Sequence, residues 1–190
     1  MVFRRRLPLR RRPYGPGRRP IKRAAIRQLR IAHRLFDEGQ WNKAAEQFER
    51  LASAAEDRGF PQAPQLFLLS GRARIENGEF AIGVKHLHHA VQLFGQFGQI
   101  QRLTLIRPRL ISELKQRGLD REAVELDNAI HDLLDRSPVA KSASNPPSSN
   151  VRLPVKCPSC GGALRPDEVV WFDPLSAACA YCGSVVQGEQ

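Results

Sequence analysis

The stretch Gly39-Gln40-Trp41-Asn42-Lys43-Ala44-Ala45 indicates how this chain folds, because the same pattern returns twice. It returns as Gly78-Glu79-Phe80-Ala81-Ile82-Gly83-Val84 and as Gly118-Leu119-Asp120-Arg121-Glu122-Ala123-Val124, with the glycines 39 and 40 residues apart. A period of this length is typical of stacked helical hairpins. A glycine between two helices supplies the left-handed residue that ends the first of them. The sequence therefore predicts three helical hairpins.

Small residues recur where the two helices of each hairpin would cross, with Ile111 as the exception. Ala32, Gly71 and Ile111 stand seven residues before the glycines, and Ala44, Gly83 and Ala123 stand five residues after them. This arrangement, over about residues 21–136, resembles the tetratricopeptide repeat. The resemblance implies a mainly α, right-handed stack of about three hairpins, with a groove that takes a peptide or helix of a protein partner. On that register the groove residues are His33, Phe36, Arg72, Ile75, Glu76 and Lys115.

Apolar residues at spacings of three and four predict six helices. The expected ranges are Ile21 to Glu38, Trp41 to Asp57, Pro64 to Asn77, Glu79 to Phe94, one ending near Arg117, and Asp120 to Leu134. Pro108 lies inside the fifth helix and predicts a kink or a break there, because proline removes a helical hydrogen bond.

The net charge of +11 is concentrated at the start of this 190-residue chain. Residues 1–36 hold 13 Lys and Arg and no acidic residue, whereas the remainder holds 17 Lys and Arg against 19 Asp and Glu. Four prolines within residues 1–20 oppose a helix, so we expect a disordered basic arm there. No secretory leader pattern and no apolar run of about 20 residues is present, which favours a cytoplasmic protein without a transmembrane segment.

The arm and the first helix together offer a basic surface for nucleic acid or an anionic membrane face. The alternative is that the arm serves only as a solubilising tail. The candidate contact residues are Arg4, Arg5, Arg6, Arg10, Arg11, Arg12, Arg18, Arg19, Arg23, Arg27, Arg30 and Arg34.

A stretch of Ser, Pro and Ala at residues 137–150 predicts a flexible linker to a second unit at 151–190. That unit carries Cys157-Pro-Ser-Cys160 and Cys179-Ala-Tyr-Cys182, with 18 residues between the two pairs. Two C-x-x-C pairs at this spacing indicate four thiolate ligands on one metal ion. Because all four positions come from the protein, such a site is structural and not catalytic.

Gly161 and Gly183 each follow a second cysteine, where a positive φ turns backbone N–H groups toward the sulfurs. The unit looks like a zinc ribbon with rubredoxin-like knuckles, which implies one structural Zn²⁺. Iron is the less common alternative in similar knuckles. We expect Val169 to Phe172 to form one strand and Ser184 to Val186 its neighbour. Trp171, Phe172 and Tyr181 would form the small core or stack on a partner.

No catalytic constellation is visible, and the motifs GxxxxGK, GxSxG and HExxH are missing. His86 and His89 share a helix face beside His88, but they lack a matching thiolate or carboxylate in the sequence pattern, so a metal site there is disfavoured. The sequence therefore predicts a non-enzymatic adaptor that binds a protein partner through the groove, with the ribbon as a second contact module. The alternative is a nucleic-acid-associated factor that uses the basic arm and the ribbon.

Overall fold

The computed structural model describes residues 18–136, 151–171 and 175–188, in which six helices precede a small antiparallel sheet. The helices are α1 (Arg18–Asp37), α2 (Trp41–Glu56), α3 (Ala63–Glu76), α4 (Phe80–Gln96), α5 (Ile100–Gln116) and α6 (Asp120–Arg136). The strands are β1 (Val170–Trp171), β2 (Ser176–Ala178) and β3 (Val185–Gln187). The protein is thus mainly helical, as the sequence predicted.

The three repeated glycines end helices, as their positions predicted. Gly39, Gly78 and Gly118 have φ angles of 74°, 80° and 73°, a region that L-residues with a Cβ rarely adopt. Beside Gly39, the N–H of Gln40 donates to the carbonyl of Leu35 at 2.9 Å, which satisfies one of the free carbonyls at the end of α1. Each repeat glycine therefore reverses the chain into the second helix of its hairpin.

Neighbouring helices pack into a stack around one apolar core. Ala32, Ala44 and Ala123, three of the predicted crossing residues, have no exposed surface. Phe48 and Phe94 are also fully buried, and each contributes roughly 1.5–3 kcal/mol of transfer free energy. Helix α4 contacts α6 as well as α5, so the third hairpin packs back on the second.

Some predicted boundaries were wrong. Helix α1 begins at Arg18 and includes Pro20, whereas the disordered arm was predicted to extend to residue 20. Proline is tolerated in a first helical turn because its missing N–H has no helical partner there. Helix α5 runs through Pro108 without the break that was one expected outcome. Residues 1–17 of the predicted arm and the predicted linker at 137–150 lie outside the described residues.

The strand pairing also differs from the prediction. Strand β2, which the sequence analysis missed, lies between the two expected strands, in the order β1-β2-β3. Ala177 pairs with Trp171 on one side and with Val186 on the other. The expected direct pairing of the Val170 and Val185 strands is therefore wrong. Strand β2 consists of Ser, Ala and Ala, which do not alternate between large apolar and polar side chains, so the sequence pattern did not predict it.

Within the described residues, no helix is both long enough and apolar enough to cross a lipid bilayer.

Candidate functional site

The four cysteines lie on two turns with matching backbone hydrogen bonds. In the first turn, the N–H of Cys157 donates to the carbonyl of Gly162 at 2.8 Å. In the second, the N–H of Cys179 donates to the carbonyl of Ser184 at 2.9 Å. Gly161 and Gly183 have φ angles of 79° and 68°, so both glycines adopt the positive φ that the sequence predicted.

The four sulfur atoms converge on one point between these turns. They all lie within 4.8 Å of one another. The Sγ atoms of Cys157 and Cys182 are 3.8 Å apart, as are those of Cys160 and Cys179. These distances are too long for a disulfide, in which the sulfurs are about 2.05 Å apart. The arrangement is a four-cysteine site that can hold a metal ion.

Protonation within the cluster is uneven. Hydrogen bonds from Cys160 and Cys179 hold the pKa of Cys182 far below that of an ordinary thiol. The same kind of contact to Cys179 and Cys182, together with burial, raises the pKa of Cys160 well above its usual range. Four thiolates in one buried site would repel one another strongly, so a bound cation is required for all four to ionise.

Backbone N–H groups support the sulfurs in the same way in both turns. The N–H of Gly162 donates to Cys160, and the N–H of Ser184 donates to Cys182, each from two residues beyond its cysteine. Hydrogen bonds of this kind lower the pKa of the thiol and orient the ligand. The positive φ of the glycine between each pair places these donors.

Five of the six predicted groove residues line one cleft. The cleft has a volume of about 370 Å³, and its stack side is formed mostly by α1, α3 and α5, the first helix of each hairpin. We call this side of the stack the groove. The predicted residues in it are His33, Phe36, Arg72, Ile75 and Glu76. Lys115 is exposed and does not line the cleft.

The cysteine module, which comprises the described residues from 151 to 188, lies against this groove. The rings of His33 and Tyr181 meet edge to face with centroids 4.9 Å apart. A Cβ on Gly162 would lie 2.4 Å from Tyr181 and 2.7 Å from His33, so only glycine fits there. Burial lowers the pKa of His33 to about 4, so its imidazole is neutral at pH 7. Tyr181 is therefore buried against the stack, not exposed for stacking on a base.

The most buried charged group of the contact is Glu168, which is 1% exposed. Its carboxylate pairs with Arg109 of α5, lies 3.6 Å from Nη1 of Arg72 of α3, and accepts a hydrogen bond of 2.8 Å from the Tyr181 hydroxyl. Burial opposes ionisation, but Arg72 and Arg109 outweigh it and lower the pKa of Glu168. Its main-chain carbonyl accepts two hydrogen bonds, at 3.1 and 3.0 Å, from Arg102 of α5.

The basic residues of α1 lie beside the first cysteine turn. Arg23, Arg27, Arg30 and Arg34 are all exposed, as their spacing predicted. Arg30 donates to the carbonyl of Ser159 at 2.6 Å, and Lys156 pairs with Asp37. Arg18 and Arg19 belong to α1, whereas Arg4, Arg5, Arg6, Arg10, Arg11 and Arg12 lie outside the described residues.

The histidines of α4 lie on another surface and have partners within the stack. Nδ1 of His86 is 2.8 Å from the Ser70 hydroxyl, and Nε2 of His89 is 3.1 Å from the Glu56 carboxylate. Among the described residues, the four cysteines form the only group of three or more potential metal ligands.

Sequence reasoning missed Glu168, Arg102 and Arg109, because nothing in their local pattern indicates a contact between residues so far apart in the chain. The one available signal was the acidic pair Asp167-Glu168 in a module with few apolar residues. No protein-family model matches this chain, and the searches of curated proteins and of solved structures also found no match.

Proposed function

We propose that this protein is a non-enzymatic adaptor built from a tetratricopeptide-like stack and a structural zinc ribbon, which together form a binding cleft for a protein partner. The observation that carries the proposal is the cleft of about 370 Å³ between the groove and the cysteine module. Apolar residues such as Leu69 and Ile75 and charged residues of both signs such as Glu76, Arg117 and Arg165 line it together. A cleft of this mixed character suits a partner segment that carries charged as well as apolar side chains.

We infer that the ion of the four-cysteine site is zinc, which commonly has four cysteine ligands in structural sites. Four sulfurs at about 2.3 Å from a tetrahedral zinc ion lie about 3.8 Å from one another. Two pairs, Cys157 with Cys182 and Cys160 with Cys179, have this separation of 3.8 Å. Zinc held by Cys157, Cys160, Cys179 and Cys182 would supply the folding free energy that so small a module lacks. Its role here is structural, because four protein ligands leave no position for water or substrate.

The volume of the cleft suits a short segment of a partner, a few residues long, and not a folded domain. Both sides of the cleft contribute to it, since Ala163, Arg165 and Tyr181 come from the cysteine module. The ribbon then acts as a second contact module by completing the cleft, not by reaching for a separate partner.

Site-specific photo-crosslinking tests the proposal directly. A photoreactive amino acid is placed at Gln116, which is exposed and lines the cleft, in the full-length zinc-loaded protein expressed in cells. The matched control carries the same group at Asn128, which is exposed on α6 outside the cleft. A distinct covalent partner is expected at Gln116 alone. Equal products at both positions, or none at Gln116, would contradict a partner site in the cleft.

Nucleic-acid association is the second candidate, favoured by the contact between Arg30 and Ser159. That contact joins the basic face of α1 to the first cysteine turn, so phosphates along α1 would also meet the ribbon. Each phosphate contact adds affinity that salt removes. A salt titration of binding to mixed RNA, comparing full-length protein with protein lacking residues 1–17 and with Arg23→Gln/Arg27→Gln, tests this candidate. Liposome flotation of the same proteins distinguishes an anionic membrane surface.

A further inference from the structure

The cysteine module inserts an acidic residue into a basic site of the stack. Three arginines on two helices converge on Glu168: Arg72 from α3, and Arg102 and Arg109 from α5. The neighbouring Asp167 lies 3.9 Å from Arg109. The groove therefore carries three cations around the Glu168 carboxylate of the same chain. Glu113 of α5 pairs with two of them, Arg72 and Arg109, at 2.8 and 2.9 Å, so it neutralises part of their charge.

The contact between the two surfaces is polar. Arg109 Nη1 pairs with Glu168 Oε1, and Arg72 Nε lies 2.8 Å from Glu113 Oε2. Two other buried atoms at the contact, His33 Nε2 and Arg72 Nη2, have no hydrogen-bond partner within the described part of the chain. A buried polar atom without a partner weakens a contact, and polar contacts between modules are typical of reversible ones.

The residues that hold the module in place depend on the cysteine turns. Tyr181, which contacts both His33 and Glu168, lies between Cys179 and Cys182. Ser159, which accepts from Arg30, lies between Cys157 and Cys160. Because a module of this size folds only with its metal, the surface that contacts the groove exists only while the metal is bound. Loss of the metal would therefore uncover the arginines.

We propose that the groove arginines form a binding site for an acidic segment of a partner protein, which Asp167 and Glu168 occupy in the metal-bound state and vacate when the metal is lost. This inference rests on the proposed adaptor function and adds a second, metal-free state, in which an acidic segment takes the place of the module instead of entering the cleft beside it. A closed majority state lowers the apparent affinity for the partner in proportion to the open fraction. The metal site then controls access to the groove.

A peptide titration on the full-length protein tests the inference. The probe is a fluorescein-labelled peptide with the sequence of residues 163–170, ALRPDEVV. Its matched control carries Asp167→Asn and Glu168→Gln. Fluorescence anisotropy is measured with zinc-loaded protein and with chelated protein in reducing buffer, while circular dichroism records whether the helices persist. The protein variants are Arg109→Gln and, as a surface control, Arg121→Gln, whose side chain is 86% exposed.

The chelated protein should bind the acidic peptide about tenfold more tightly than the zinc-loaded protein does, and more tightly than it binds the control peptide. Arg109→Gln should remove that preference, and Arg121→Gln should retain it. Equal binding of the two peptides by the chelated wild type would overturn the inference without relying on any variant. Loss of helicity on chelation would overturn it as well, since no groove would remain. The photo-crosslinking experiment at Gln116 uses zinc-loaded protein, so it tests the adaptor function separately from these two results.

Discussion

Gly71 of α3 and Gly83 of α4 face each other at the crossing of the second hairpin. A Cβ on Gly71 would lie 2.9 Å from the Gly83 carbonyl oxygen, and a Cβ on Gly83 would lie 2.8 Å from that of Gly71. The side chains of Leu87 and Ile75 are also close, at 2.8 and 2.6 Å, but moving them would not remove the clash with the backbone. The two helices can approach this closely only because both positions lack a side chain.

Gly83→Ala should destabilise the protein by about 1–3 kcal/mol, because the added methyl group forces the helices apart. The matched control is Gly95→Ala in the same helix, where the new Cβ meets only the end of Leu133, at 3.1 Å. That change should be neutral or slightly stabilising, since alanine favours a helix more than glycine does. Thermal melts of both variants provide the measurement. Equal melting temperatures would refute the close crossing.

The first hairpin should respond in the same way to a larger residue. Ala44 has no exposed surface and occupies the crossing position that corresponds to Gly83. We expect Ala44→Leu to cost about 1–3 kcal/mol through overpacking. Urea denaturation followed by circular dichroism measures the change in the free energy of unfolding. A midpoint unchanged from wild type would show that this hairpin has room at its crossing.

The partly buried ion pair between Arg74 and Glu49 predicts that the stability of the protein depends on pH. Arg74 donates to both carboxylate oxygens of Glu49, at 2.7 and 2.9 Å. Burial alone would raise the pKa of Glu49, but the hydrogen bonds and charge of Arg74 lower it below its usual value. A depressed carboxyl pKa contributes stability that is present above the unfolded pKa of about 4.3 and is lost as pH falls through the folded pKa.

Glu49→Gln should therefore cost about 1 kcal/mol at pH 7, a value discounted for solvent screening, and progressively less as the pH falls below about 4. The melting temperatures of the variant and of wild type are compared at pH 7 and again below pH ~4, so effects common to the two proteins cancel. Glu125→Gln is the control, because the pair that Glu125 forms with Arg121 is largely exposed. A cost for Glu49→Gln that persists unchanged in acid would contradict the ionic role.

Glu168 and Asp167 form a matched pair for testing the contact between module and stack. Glu168→Gln keeps the shape but removes a 1%-exposed charge between two arginines, so we expect a loss of about 3 kcal/mol. Asp167→Asn changes a half-exposed group 3.9 Å from Arg109 and should cost less than about 0.5 kcal/mol. Differential scanning calorimetry of the zinc-loaded proteins distinguishes the two. Equal effects would mean that burial of Glu168 is not what holds the module.

The helix ends and the cysteine turns could be predicted from the sequence, because both depend on residues close together in the chain. The repeated glycines predicted the helix ends, because a positive φ at one position is a local requirement. The C-x-x-C pairs predicted the converging sulfurs in the same way, since ligand spacing reflects the geometry of two tight turns. Pro108 was misleading in part, because tertiary packing around α5 overrides the preference of one residue.

The contact between the cysteine module and the groove could not be read from the sequence. It depends on pairs such as Arg109 with Glu168 and His33 with Tyr181, which are distant in the chain and carry no shared period. The groove residues were predicted as a surface facing a partner, and the structure places the protein's own module against them. Their role in binding a partner remains a prediction.

Whether one metal ion holds the cysteine module against the groove can be measured by chemical crosslinking. Asp37 and Lys156 form an ion pair across that contact, and a carbodiimide reagent joins such a pair as an amide. Peptide mass spectrometry of the full-length protein should find the Asp37–Lys156 crosslink when native mass spectrometry finds one zinc ion per chain. Chelation in reducing buffer should remove both, and added zinc should restore them. A crosslink of equal yield without metal, or a reduced protein that binds no metal, would contradict a metal-dependent contact between the module and the groove.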